Sequence, residues 1–138
     1  MTLEEIGKNL PALFGALLVA VLFIQSGLDK VFDWKGNLEW LTGHFSKTFL
    51  RGTVPPMLAT ITLMELATGF LSVAGIVYFL IAGSTVLIFY ASILGAASIS
   101  ALFFGQRVAK DYAGAAVLIP YFILLIILMS LTNPFQKV

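Results

Sequence analysis

The sequence contains no cysteine, one histidine and little charge, with Asp, Glu, Lys and Arg making up 11% of its 138 residues. Each shortage removes a class of chemistry. Without cysteine this chain has no disulfide, thiol redox relay, cysteine-ligated iron–sulfur cluster or cysteine-based metal site. A single histidine, His44, cannot supply bis-histidine haem ligation, and alone in an amphipathic loop it reads as a surface residue. The net charge of +1 leaves no basic surface for nucleic acid. A Gly-rich phosphate loop and the GxSxG nucleophile motif are also missing, so the chemistry of soluble enzymes has little to stand on.

What the sequence does have is hydrocarbon, at 59% hydrophobic residues, far above a soluble average. Residues 52–106 carry one formal charge, Glu65, and the uncharged runs Asn9–Leu28 and Tyr112–Gln136 flank that block. A helix needs roughly 20 apolar residues to cross about 30 Å of hydrocarbon. The flanking runs each supply one span and the central block two, with a break expected between Gly75 and Gly83. The expected fold is all-α, a single domain over 1–138 forming an integral membrane four-helix bundle, with spans near 10–28, 56–77, 82–104 and 113–132. The second and third spans, joined by a short turn, must be antiparallel neighbours. The first span follows Glu4, Glu5 and Lys8 and lacks a basic start and a clean cleavage site, so a removed signal peptide is not expected.

Loop one, residues 29–54, is the only long connection, and its apolar residues Val31, Trp34, Leu38, Leu41, Phe45 and Phe49 recur at helical intervals. It reads as one or two short amphipathic helices lying in the membrane interface, interrupted at Gly36 or Gly43, with Trp34 and Trp40 as anchors at headgroup depth. Lys8 and Lys137 accompany the termini, while Lys30, Lys35, Lys47, Arg51, Arg107 and Lys110 lie in loops one and three. That bias places loops one and three in the cytoplasm and both termini outside. The third span is crowded with small residues at four-residue spacing, Ala91 and Gly95, and Ser92, Ala96 and Ser100. Close helix packing accounts for them.

Glu65 is the residue that packing does not explain. It stands about ten residues into the second span, about 15 Å deep at about 1.5 Å per residue, and an acid near the bilayer centre costs a few kcal/mol. Thr62, Glu65, Gly69 and Ser72 follow at helical spacing, forming a polar stripe that must face the bundle interior. Partners come from the ends of spans one and three, which share a side of the membrane. Gln25, Ser26, Asp29 and Lys30 are expected to converge there with Gln106, Arg107, Lys110, Asp111 and Tyr112. A full 15 Å exceeds the reach of one lysine, leaving a gap for water or ligand. Taken singly, the basic residues also read as orienting interfacial charges, Asp111 as a helix cap and Pro120 as a kink.

The segments "FIQSGLDKVF", "MELATGFLSVAG" and "KDYAGAA" together resemble the DoxX-like family of small four-helix membrane proteins. The resemblance covers about residues 14–131, and Lys30 and Glu65 are the two positions carried over. An Arg that family members often carry near the start of span one has no counterpart in "NLPALFGALL", and loop one is longer than a minimal member needs. The resemblance implies a bundle that, in some members, is associated with thiosulfate:quinone oxidoreduction or other respiratory and redox-stress complexes. A quinone suits a slot offering Glu65, Gln25 and Lys30. No motif here binds haem, metal or flavin, so redox work would require a cofactor-bearing partner. Two other readings remain open: a purely accessory subunit of a larger assembly or homo-oligomer, and a proton or small-solute pathway centred on Glu65.

Overall fold

The computed structural model describes residues 1–136; Lys137, counted above with the termini, lies outside them. Among the described residues there are helices and turns and no strand. The elements are α1 (Leu3–Lys8), α2 (Leu10–Phe32), α3 (Trp34–His44), α4 (Val54–Ala82), α5 (Val86–Val108), α6 (Tyr112–Ala116) and α7 (Ile119–Thr132). The helices α2, α4 and α5 and the continuous stretch Tyr112–Thr132 are each long and apolar enough to cross a membrane. The fold is an all-α four-helix bundle. Its helices pack in a closed circuit, α2 on α4, α4 on α5, α5 on α7 and α7 on α2, around Ala16, Val19, Phe23, Ile88, Ile99, Leu125 and Leu128.

The first and second spans run past the bounds read from hydropathy, to Phe32 and over Val54–Ala82, the third begins and ends four residues later than expected, at Val86–Val108, and the fourth, Tyr112–Thr132, agrees to within one residue. The α4–α5 break falls at Gly83, whose left-handed φ of 74° caps α4 with a 2.7 Å bond to the Phe79 carbonyl. That is the usual work of glycine at a helix end. Gly75, the other candidate, sits inside α4, where a Cβ would lie 2.8 Å from the Ile88 backbone nitrogen. It is there for close helix approach. In the last span the helix is interrupted at Val117 and Leu118, and Pro120 stands in the first turn of α7, where its missing N–H costs nothing. The small residues of α5 divide: Ala91, Ser92, Gly95, Ala96 and Ser98 are buried, whereas Ser100 faces outward.

Loop one departs from expectation at its joint. α2 runs on to Phe32 and turns into α3 at Asp33, while Gly36 is helical and Gly43 lies in the last turn of α3. Leu38 and Leu41 are half-buried and Phe45 is buried, but Val31 and Phe49 are exposed, so the apolar face covers only the middle of the segment. Trp34 is half-buried and Trp40 exposed. At the other end of the chain Thr2 and Glu5 form a reciprocal capping box that starts α1, a short helix not expected from hydropathy.

The α2–α4 register decides where Glu65 goes. Gly27 of α2 packs on Leu66, and Gly69 of α4 packs on Ile24. Lys30, one turn beyond Gly27, therefore lies beside Glu65. α4 has 29 residues, about 43 Å of helix, and it begins well before the level at which α2 ends.

Candidate functional site

The 15 Å gap expected between Lys30 and Glu65 is absent. Lys30 Nζ lies 3.1 Å from Glu65 Oε1 and donates a hydrogen bond to Oε2 at 3.3 Å. It also donates to Ser26 Oγ at 2.9 Å, one turn back on its own helix. The pair is asymmetric. Glu65 is 1% exposed, whereas the Lys30 side chain keeps 16% of its surface, its stem lying along α2. Oε1 has the shorter contact yet no aligned donor, and it is the one buried side-chain polar atom without a hydrogen bond among the described residues. The contact to Oε1 is thus electrostatic, and Oε2 takes the hydrogen bond.

The polar stripe is buried as expected, but its hydroxyls do not serve Glu65. Thr62 donates to the Leu58 carbonyl at 2.7 Å and Ser72 to the Thr68 carbonyl at 2.9 Å, both within α4. Thr68, also on that face, donates to the Met64 carbonyl at 2.8 Å. Hydroxyls inside a helix in lipid satisfy themselves on the preceding turn. Their role is to let neighbouring helices approach: Thr68 Cγ2 lies against Gly95 of α5.

The expected convergence at the bundle mouth separates into parts. Gln25 and Asp29 are exposed on the outer flank of α2, beside Leu17, Val21 and Val73. They share a helix face with each other, and that face looks away from Glu65. Arg107 lies over the Tyr112 ring at 4.4 Å, a cation–π contact at an exposed position. His44 is not a free surface residue. Its Nε2 is 2.8 Å from Gln106 Oε1 and 3.9 Å from Asp111 Oδ2, and its ring stacks on Trp40 at 4.5 Å. The two acceptors favour a proton on Nε2, which donates to Gln106. Loop one is thereby tied to the α5–α6 junction. The sequence offered no signal for this tie, because 62 residues separate His44 from Gln106.

That junction is built locally. Asp111 accepts from the Gly114 backbone at 2.9 Å and so caps α6, as its position before an apolar run predicts. Lys110 has φ 60°, the only positive φ outside glycine among the described residues. Its N–H reaches the Arg107 carbonyl, and the Asp111 N–H reaches the Gln106 carbonyl, the paired bonds of a Schellman motif. A lysine in the left-handed region costs roughly 1–2 kcal/mol. Lys110→Gly is therefore expected to raise thermal stability by about 1 kcal/mol, measured by melting in detergent; a lowered melting temperature would show that the lysine side chain matters more than its backbone.

No cluster of three His, Asp or Glu side chains able to hold a metal occurs among the described residues. The fold and this interior ion pair define a multi-pass membrane protein whose apolar outer faces contact the bilayer. Set against family models, curated proteins and solved structures, the chain matches none.

Proposed function

We propose that this chain is a DoxX-like integral membrane protein that acts as a small subunit of a quinone-linked redox or respiratory complex. Its setting on this reading is a bacterial or archaeal cell membrane, with loops one and three cytoplasmic. The observation that carries the reading is the Lys30–Glu65 pair, a carboxylate at 1% exposure inside a transmembrane bundle. An ionisable group at that depth is expensive and is by default functional. Quinone reduction consumes protons as well as electrons. Glu65 can take or release a proton at Oε1 while Oε2 keeps its bond to Lys30, and Ser26 holds Lys30 in place. Electrons come from a cofactor-bearing partner, so the chain is a proton-handling or quinone-adjacent subunit and not an enzyme by itself. Gln25, on the outer flank, has no part in this site.

The test is Glu65→Gln, introduced into the native membrane. Gln preserves shape, and Lys30 is exposed enough to find water, so assembly with a larger partner is expected to persist. Quinone-dependent electron flux is expected to fall by about tenfold to a hundredfold or more, the scale of a lost proton-transfer group. Unchanged flux with intact assembly would leave a purely accessory subunit. Purification of the chain without any stoichiometric partner in mild detergent would dismiss both subunit readings.

A further inference from the structure

A second feature has no part in the ion pair. A cavity of about 440 Å³ opens between the first half of α4 and the last turns of α5, beneath loop one. Leu41 and Phe45 form its roof, Met57, Ile61 and Met64 one wall, and Leu102 the other. The roof is fastened in two places. Phe45 is buried against Gly105, where a Cβ would lie 3.3 Å from its ring, and the neighbouring His44 bonds to Gln106. The cavity is thus preformed, and its volume falls in the range of small-molecule sites, roughly 300–1,000 Å³.

Its dimensions and chemistry indicate an occupant. Along α4 the lining runs from Val54 to Met64, about 15 Å of helix, half of a hydrocarbon core about 30 Å thick. It is one leaflet deep. The shallow end lies at Gln106, near the end of α5 and the interfacial loop, and the deep end at Met64 and Ala101 in the bundle. Among the described residues no ionisable side chain lines it, and its polar members are Gln106 and Thr60, the latter already donating to the Pro56 carbonyl. The apolar lining favours a tail, and Gln106 at the shallow end is a polar but uncharged neighbour for a head, while among the described residues no lining side chain would pair with a buried anion.

We propose that this cavity binds one uncharged single-tailed amphiphile of the bilayer, with its tail along α4 toward Met64 and its head at the Gln106 end under loop one. The site stands independently of the redox reading. A monoacylglycerol with an oleoyl tail is a suitable probe, with oleate and an oleoyl phosphatidylglycerol as charged comparisons. Native mass spectrometry of the full chain released from detergent micelles is expected to show one monoacylglycerol retained per chain, and each charged lipid about tenfold less. Ala101 lines the cavity but is exposed, so Ala101→Phe fills the space without disturbing the bundle. That variant is expected to lower retention by about tenfold or more, equivalent to at least about 1.4 kcal/mol, at an unchanged melting temperature. Thr60→Phe, at another exposed lining position, repeats the test should Ala101→Phe fail to fold. Equal retention by the filled and native cavities, or equal retention of the charged lipids, would overturn the proposal. Neither result bears on flux in Glu65→Gln membranes, so the two proposals fail separately.

Discussion

Lys30→Met is expected to destabilise the bundle by about 3–5 kcal/mol, the usual loss when one member of a buried ion pair is removed. The reason lies in the asymmetry of the pair. Glu65 is 1% exposed, and Lys30 is its only hydrogen-bond donor among the described residues; without the ammonium, a carboxylate remains inside a low-dielectric bundle with no partner among them. The converse change is milder. When Glu65 becomes Gln, Lys30 keeps its bond to Ser26 and can extend toward the interface along its partly exposed stem. The double variant Lys30→Met, Glu65→Leu should recover to within about 1 kcal/mol of the native protein or exceed it, because apolar replacement of both partners removes the desolvation penalty. Thermal melting of the native, Lys30→Met, Glu65→Leu and doubly substituted proteins in one detergent gives the double-mutant cycle. A Lys30→Met protein as stable as the native chain would show that the 3.1 Å contact contributes nothing to the fold.

Gly69→Ala and Gly75→Ala are each expected to cost about 1–3 kcal/mol, the price of forcing atoms into a packed core. A Cβ on Gly69 would lie 2.8 Å from the Ile24 backbone nitrogen, and one on Gly75 would lie 2.8 Å from that of Ile88. Backbone atoms cannot rotate away, so the helices must part, and in lipid close packing is most of what holds them. Gly27→Ala meets mainly the flexible end of the Leu66 side chain, nearest atom 2.6 Å, and should cost less. Gly43→Ala, with nothing within 4 Å, should be neutral or slightly stabilising and serves as the control. The order Gly69 and Gly75, then Gly27, then Gly43 is the content of the prediction, read by melting temperature. A Gly69→Ala protein as stable as Gly43→Ala would contradict the close α2–α4 crossing. Because that crossing also sets Lys30 beside Glu65, Gly69→Ala should loosen the ion pair as well.

Much of the fold is legible in the amino-acid sequence. Three runs nearly free of charge, the central one of double length, force four helices, since only a helix satisfies its own backbone in lipid. Glu65 had to face inward for the same reason, and the stripe Thr62, Glu65, Gly69 and Ser72 is indeed buried. The spacing of apolar residues from Val31 to Phe49 marked loop one as helical, although Val31 and Phe49 at its two ends are exposed. These inferences rest on local periodicity and on the solvent, which act on every residue separately.

Lys30 stood among the expected partners of Glu65, but which member of that group would meet it was not legible. Gln25, Asp29 and Lys30 lie within six residues, yet only Lys30 turns toward Glu65, because the Gly27–Leu66 and Gly69–Ile24 contacts fix the rotation and level of α2 against α4. His44 looked solitary because Gln106 and Asp111 come to it from the far end of α5. The cavity beneath Phe45 belongs to three segments at once and to none of their patterns. By itself the sequence determined that the chain crosses the membrane four times and that one acid is held inside. Only the tertiary structure decided what that acid meets, since helix register depends on side-chain interlocking between segments, which no single segment's periodicity records.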